Sequence, residues 1–249
     1  MSICIEIKNL SKTFKTKGNL KVAALENINF SVEENDFISI IGPSGCGKST
    51  LLRIIASLEK ATCGTVIYRD SELDEPSSDI GMVFQNYSLL QWRTVIDNIA
   101  IGLEFKNIKK KERREKSKEY LKLINMENFE KAYPYELSGG MQQRVAIARA
   151  LVTNPDVLLM DEPFGALDAH TRIILQEELL KIWEKNKKTI LFVTHSVDEA
   201  IYLSDKIIVM GKNPGKIKEI INVDMARPRK RANPEYGKLT DKLLDMLEY

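Results

Sequence analysis

The sequence predicts an α/β fold with a mainly parallel sheet, and three observations predict it. Short, nearly continuous apolar runs recur at Asp36-Phe37-Ile38-Ser39-Ile40-Ile41, Val157-Leu158-Leu159-Met160 and Thr189-Ile190-Leu191-Phe192-Val193. Strands of that kind are usually buried on both faces, as in a parallel sheet covered by helices. The first run passes through a glycine-rich turn into Leu51, Leu52, Ile54, Ile55 and Leu58 at helical spacing, which gives strand, turn and helix. Residues 89–136 break this pattern with a helical, highly charged stretch that reads as an insertion.

The remaining elements follow in chain order. Residues 3–10 and 22–32 are expected as strands of an N-terminal antiparallel β-subdomain, with residues 15–19 as the turn between them. Gly64-Thr65-Val66-Ile67-Tyr68 and Ile80-Gly81-Met82-Val83-Phe84 are further strand candidates. In the insertion, Val95, Ile96, Ile99 and Leu103 recur at helical spacing, and Tyr133-Pro134-Tyr135 bounds it. Between them Lys109 to Tyr120 carries seven basic and three acidic residues. With no aromatic interleaving, that stretch reads as a solvated helix face with offset pairs such as Glu112 to Lys116. After His195, residues 196–203 are expected as a helix and 205–211 as a strand. A tail with Arg227-Pro228-Arg229-Lys230-Arg231 and an amphipathic segment (Leu239, Leu243, Leu244, Leu247) closes the chain.

Composition narrows the function classes. The chain has 249 residues and is 43% hydrophobic, enough for a sizeable core. Its 37 basic and 35 acidic residues leave a formal net charge of +2, too balanced for whole-surface nucleic-acid binding. No apolar run approaches the ~18–20 residues of a membrane span, and the N-terminus does not read as a secretory signal. Cys4, Cys46 and Cys63 are odd in number and lack metal-ligand spacing, so neither a disulfide framework nor a zinc site is expected. A soluble intracellular globular protein is expected.

The chemistry concentrates after the first buried strand. Gly42-Pro43-Ser44-Gly45-Cys46-Gly47-Lys48-Ser49-Thr50 fits G-x-x-x-x-G-K-[ST], in the strand–loop–helix setting that the motif requires. Its glycines let backbone N–H groups curl around phosphate oxygens, and the helix N-terminus adds a favourable dipole. Lys48 should reach the β- and γ-phosphates and Ser49 should ligate Mg²⁺, so the core is expected to be that of a P-loop NTPase. Asp161-Glu162 closes the second buried strand, where two adjacent carboxylates are costly unless a cation or a proton shuttle uses them. Asp161 would orient Mg²⁺ and Glu162 would polarise the attacking water. Leu137-Ser138-Gly139-Gly140-Met141-Gln142-Gln143-Arg144 precedes the apolar run Val145, Ile147, Ala148 and Leu151, a good helix start with exposed N–H groups.

At Leu137 to Met141 the sequence resembles the ATP-binding cassette ATPases, whose signature is L-S-G-G-Q. The resemblance covers essentially the whole chain in the family's order. It implies that Phe14 stacks on adenine, the alternative being an aromatic packed under a hairpin. It implies that Gln85 senses Mg²⁺ and contacts the transporter partner, and that Asp161 and Glu162 are the Mg²⁺-binding and catalytic carboxylates. Gly165-Ala166-Leu167-Asp168 matches the D-loop, and His195 matches the switch histidine at the γ-phosphate. Ser138, Gly139 and Gly140 carry phosphate contacts from a second copy of the chain, so Met141 in place of the usual glutamine should be tolerated. Cys46 is expected to be a small residue and not a nucleophile, and His170 an exposed polar side chain.

The resemblance implies one ABC ATPase domain over 1–249. The nucleotide-binding core and β-subdomain span 1–88 and 138–215, the helical subdomain 89–137, and a C-terminal extension 216–249. ATP and Mg²⁺ are the implied cofactors. The implied partners are a second copy, transmembrane permease subunits and, indirectly, a substrate-binding protein, with no nucleic acid. The place implied is the cytoplasmic face of the cell membrane, held peripherally. Tyr87 to Ile99, Phe164 to Ala169 and Arg227-Pro228-Arg229 look like those of nitrate, sulfonate and taurine importers, which commonly carry proline where this chain has Gln91. Trp92 would anchor the membrane subunit, or else pack the insertion onto the core. The competing reading, a soluble ABC ATPase acting on nucleic acid or ribosomes, usually brings coiled-coil insertions or two cassettes per chain, and neither is present. A P-loop kinase would leave Ser138 to Gly140 and Gln85 unexplained.

Overall fold

The computed structural model describes residues 2–15, 18, 20–165 and 167–247. Along the chain run β1 (Ile3–Lys15), β2 (Lys21–Glu33), β3 (Phe37–Ile41), α1 (Lys48–Ile55), β4 (Cys63–Tyr68), β5 (Ser71–Glu72) and β6 (Ile80–Val83). Next come α2 (Val95–Phe105), α3 (Lys110–Leu123), α4 (Gly139–Leu151), β7 (Val157–Asp161) and α5 (Ala169–Asn186). The chain ends with β8 (Thr189–Val193), α6 (Val197–Leu203), β9 (Lys206–Gly211), β10 (Lys216–Asn222) and α7 (Pro234–Leu247). These form two compact units, Met1–Ser77 with Lys188–Tyr249, and Ser78–Lys187. Among the described residues no helix is long and apolar enough to cross a membrane.

In the first unit an antiparallel sheet orders its strands β2-β1-β4-β5. Ile5 lies opposite Val32, Ile7 opposite Phe30 and Leu10 opposite Ile28. Ile5 and Ile7 keep the two-residue period of a half-buried strand, but the next buried side chain, Leu10, comes one residue late. A bulge at Asn9 (φ 50°) absorbs the extra residue, and Asn27 (φ 49°) does the same on β2 between Leu25 and Ile28. Asparagine tolerates this left-handed backbone. The Asn9 N–H donates to Asn29 Oδ1 at 2.8 Å and the Asn27 N–H to Ser11 Oγ at 3.0 Å. Re-phased in this way, the hairpin runs beyond the expected limits, and Phe14 lies within β1 opposite Val22. Of the expected turn, Thr16, Lys17 and Asn19 lie outside the described residues.

The second sheet of this unit orders β10-β9-β3-β8. Here β3 runs parallel to both β8 and β9, while β10 returns antiparallel on β9. Every residue of β3 and β8 is buried, as their continuous apolar runs require. Sequence reasoning missed β10, an edge strand whose Lys216, Lys218 and Glu219 hide its apolar pattern. Charged side chains are what protect such an edge from pairing with another chain.

In the second unit β6 and β7 pair in parallel, from Ile80 opposite Val157 to Val83 opposite Met160. Helix α4 packs on β6, α2, α3 and α5. Helix α2 buries Val95, Ile96, Ile99 and Leu103, the face its spacing predicts. Thr94 caps it, its Oγ1 accepting from the Asp97 N–H at 3.4 Å while its hydroxyl donates to Asp97 Oδ2 at 2.7 Å. Helix α3 buries only Ser117 and Leu121. Its charged face is partnered from elsewhere in the insertion: Arg114 pairs with Glu130 at 2.6 Å and Arg113 with Glu104 at 3.5 Å.

Gly64 (φ 80°) meets the β1 bulge so closely that a Cβ there would strike the carbonyl oxygens of Lys8 and Asn9. Gly64→Ala is therefore expected to cost more than ~1 kcal/mol of stability, since alanine resists a positive φ. Urea unfolding should show a lower midpoint at unchanged slope. An unchanged midpoint would deny the close approach.

Candidate functional site

Neighbouring parallel strands present their following residues at one edge of a sheet, and ligands of α/β proteins bind beyond such carboxyl ends. In the first unit β3 and β8 are such neighbours. Ile40 lies opposite Val193, and the Thr194 N–H donates to the Ile40 carbonyl at 3.2 Å. The turn Gly42 to Gly47 and the residue His195 therefore leave the sheet side by side.

The turn is tightly built. A Cβ on Gly42 would stand 2.7 Å from the Met210 carbonyl oxygen and 2.8 Å from Cys46 Sγ. At Gly47 (φ 94°) it would stand 2.6 Å from Leu25 Cδ2. Ser44 and Gly45 form the exposed crest, while Pro43, Ser49 and Thr50 are half-buried. Lys48, 4% exposed, folds its ammonium back into the turn, donating to Gly42 O at 2.8 Å and Pro43 O at 3.2 Å. A buried ammonium needs such acceptors, because burying it unpaired would cost several kcal/mol. No side chain caps α1, so its N-terminus offers backbone N–H groups and the positive end of the helix dipole. A turn with no room for a side chain at Gly42 or Gly47, an ammonium aimed into it and an uncapped helix start together fit a polyphosphate. Cys46 is fully buried; burial pushes its thiol up, partly offset by the neighbouring Lys48 charge. The thiol stays protonated at neutral pH, as a small packing residue should.

Phe14 is 38% exposed, so it is not packed beneath the hairpin. Lys12 Nζ covers one ring face at 4.7 Å from the centroid and is itself tied to Glu59 Oε1 at 2.6 Å. Leu25, which abuts Gly47, is three residues along β2 from Phe14's partner Val22. At strand rise that separation is roughly 10 Å, about the span from a β-phosphate to its base.

His195 is exposed on a turn whose flanks are locked. The Thr194 hydroxyl bonds the buried Glu199 carboxylate and accepts from the Ser196 N–H at 3.0 Å. Ser196 Oγ caps α6, accepting from the Glu199 N–H at 3.3 Å. Sequence reasoning missed Thr194 and Glu199, although Ser196 with Glu199 three residues on is a readable capping pattern.

The second unit repeats the arrangement. Strands β6 and β7 end side by side, and Gln85 Nε2 donates to Glu162 Oε2 at 3.1 Å. Asp161 ends β7 with 3% exposure, and Glu162 follows in the left-handed region (φ 47°). A non-glycine residue pays of order 1–2 kcal/mol there, and such strain collects at functional sites. Ala166 lies outside the described residues. Asp168 caps α5: the Thr171 N–H donates to its Oδ1 at 3.0 Å and holds its carboxyl below the usual range. His170 is exposed on α5, as expected.

Ser138 caps α4, its Oγ accepting from the Met141 N–H at 3.4 Å, so Met141 leaves the helix start intact. A Cβ on Gly139 would stand 3.2 Å from Tyr87 Oη, and one on Gly140 2.7 Å from Thr171 Cγ2. The glycines thus seat the helix start against the segment after Gln85 and against α5. Arg149, eleven residues along α4, grips that same segment, donating to the carbonyls of Tyr87 and Ser88, both at 2.6 Å. Tyr87 (φ 43°) and Ser88 (φ 50°) are both left-handed, a bend that needs such a hold. Burial lowers the Arg149 pKa from its ordinary value but leaves it charged at neutral pH. Sequence reasoning missed Arg149, which a helical pattern shows only as a polar position. Further along, Asn98 is buried and donates to the carbonyls of Leu90, Arg93 and Thr94 at 3.0–3.1 Å. Trp92, inside that staple, is 75% exposed, so it does not pack the insertion onto a core.

A family model described as ABC transporter matches residues 25–165. An uncharacterized ABC transporter ATP-binding protein of Methanocaldococcus jannaschii is 55% identical over 248 residues, 100% of this chain and 92% of that protein. The aliphatic sulfonates import ATP-binding protein of Bacillus cereus is 49% identical over 246 residues, 98% of this chain and 96% of its own. The taurine import ATP-binding protein of Rhizobium johnstonii is 41% identical over 251 residues, again 98% and 96%. The dimeric structure of a bacterial ABC transporter cassette matches at TM-score 0.80 and 37% identity, covering 89% of this chain and 100% of that one. The same cassette in a post-hydrolysis dimer bound to ADP and Pi matches at TM-score 0.79 and 36% identity over the same shares. Relatives aligned along nearly its whole length, and a family match running through its phosphate loop, lead to one conclusion: the chain belongs to the ABC transporter family and is an ATP-binding, ATP-hydrolysing cassette.

Proposed function

We propose that this chain powers import of a small anion of nitrate, sulfonate or taurine type through separate membrane subunits. It would act as a pair of identical chains held peripherally at the cytoplasmic face of the membrane, with a substrate-binding protein delivering the solute. The observation that carries the reading is the phosphate loop, where Lys48 bonds the Gly42 and Pro43 carbonyls beside the strand that leads to His195. The solute class is supported by the relatives' names, aliphatic sulfonates at 49% identity and taurine at 41%. Gln91, where such ATPases commonly have proline, bonds the Leu89 carbonyl at 3.3 Å and so stiffens the same turn by other means.

In this reading Phe14 stacks on adenine, while Gly42 to Thr50 and Lys48 hold the phosphates. Ser138, Gly139 and Gly140 of one chain face the ATP of the other, with Asp168 beside them. The Glu162 carboxylate takes the proton of the attacking water while Gln85 holds it in place, and His195 contacts the γ-phosphate. Ser49, Asp161 and Gln85 are oxygen donors suited to Mg²⁺, which favours few protein oxygens together with phosphates. When bound, Mg²⁺ supplies neutralising charge on the β- and γ-phosphates. The exposed Trp92 anchors the membrane subunit, since a large exposed aromatic on a stapled loop is a rigid anchor.

Glu162→Gln keeps an acceptor for Gln85 but loses the base. ATP binding should persist while turnover falls at least ~10²-fold. Turnover within about threefold of wild type would remove Glu162 from the role.

Arg149→Met should release the Tyr87–Ser88 bend. In a reconstituted transporter, solute moved per ATP should fall roughly threefold or more, while ATPase activity of the isolated chain stays within about twofold. Equal losses in both assays would make Arg149 a stability residue only.

A further inference from the structure

The C-terminal extension is absorbed by neither the nucleotide site nor the docking loop, yet its arginines bond the ends of α6. Arg229 is buried and donates from one nitrogen to the carbonyls of Ile201 and Ser204, both at 2.6 Å, at the end of α6. Its Nε reaches Met225 O at 3.0 Å. Arg227 takes Leu203 O at 2.6 Å and Asp205 Oδ1 at 2.5 Å. These guanidinium groups satisfy the carbonyls that every helix C-terminus leaves orphaned, and their charge suits that end of the dipole. At the other end of α6, Arg231 holds Asp198 through both carboxylate oxygens, at 2.7 and 2.8 Å. The Tyr236 hydroxyl adds bonds to Asp198 Oδ1 at 2.6 Å and to its carbonyl at 2.9 Å. The same Arg231 stacks on the Tyr202 ring at 4.3 Å.

Helix α6 is seven residues long and is capped by Ser196, directly after His195. Left alone, so short a helix would be marginal. Its first turn also carries Glu199, whose carboxylate reaches back to Thr194 on the other side of His195. The extension packs too: Tyr236 and Leu243 share an apolar cluster with Val197 and with Ile41, the last residue before Gly42.

We propose that the C-terminal extension is a strap that positions His195, with Arg229, Arg231 and Tyr236 acting through both ends of α6. The proposal rests on the reading that His195 contacts the γ-phosphate. A strap acting this way affects the reacting geometry and leaves ATP affinity alone, because misplacing a group by a fraction of an ångström costs rate before binding.

The test is a cycle between the strap and the histidine, run on the full chain with ATP. Tyr236→Phe keeps the buried ring and removes only the hydroxyl; Arg231→Gln removes the fork at a partly exposed position. The double variant should lower kcat roughly fivefold or more with KM for ATP within about twofold. Arg231→Lys combined with native Tyr236 should recover most of that loss. In a His195→Ala background the strap variant should change the residual rate by less than about 1.5-fold, because groups acting through one another are not additive. The same fold-loss in both backgrounds would overturn the strap, as would an unchanged kcat in the double variant. Full turnover in the strap variant beside an inactive His195→Ala would remove this inference alone, whereas full turnover in His195→Ala itself would remove both readings.

Discussion

A buried ammonium governs the first unit. Lys48 has to place its charge where acceptors exist, and the turn supplies the carbonyls of Gly42 and Pro43. Those carbonyls point inward only if the turn is tight. A tight turn excludes side chains at Gly42 and Gly47, where Met210 and Leu25 already occupy the space. The same tightness fixes where α1 begins and draws the β1–β2 hairpin against the loop. It also buries Cys46, and burial pushes its thiol up against the opposing pull of the Lys48 charge. In the proposed reading, phosphate binding is thus prepared by packing, and little reorganisation remains at the moment of binding.

Both units then use one device. A pair of adjacent parallel strands ends at the same edge, and each strand delivers one polar side chain. In the first unit the phosphate loop and His195 emerge together; in the second, Gln85 and Glu162 emerge in hydrogen-bond contact. Backbone strain accumulates at these exits, at Glu162, Tyr87 and Ser88. Each strained residue has a specific hold: Gln85 on the Glu162 carboxylate, Arg149 on the carbonyls of Tyr87 and Ser88. Helix α4 links its Ser138 end to the segment after Gln85 through Tyr87, whose hydroxyl lies against Gly139 and whose carbonyl is gripped by Arg149. In the proposed reading, such a link carries motion of the membrane subunit to the helix start at Ser138.

Most of this was legible in the sequence because the signals were short-range. The glycines and lysine of the phosphate loop sit within nine residues, and buried parallel strands announce themselves as unbroken apolar runs. What was not legible depends on partners distant in the chain. The bulges at Asn9 and Asn27 break the two-residue period, which hid the true length of the hairpin and placed Phe14 at its margin. Strand β10 is an edge strand whose charges mask its pattern. Arg149, Asn98 and Glu199 are polar residues on helices, and only tertiary contacts reveal that each fixes a loop. The basic run of α3 read correctly as a solvated face, but its acidic partners, Glu104 and Glu130, lie on other elements.

The central claim is that each phosphate loop forms half of a site, completed by Ser138 to Gly140 of a second copy. Trapping ATP in mixed pairs tests it most directly. In a Glu162→Gln background, where hydrolysis does not empty the site, Lys48→Ala chains are mixed with Ser138→Arg chains carrying a different tag. In a mixed pair one shared site then combines both lesions, and the other joins an intact Lys48 to an intact Ser138. Pairs captured through both tags should hold about one ATP each, while either chain alone should hold none. If each site were built within one chain, every site in the mixture would be damaged. Doubly tagged pairs without ATP would contradict the claim.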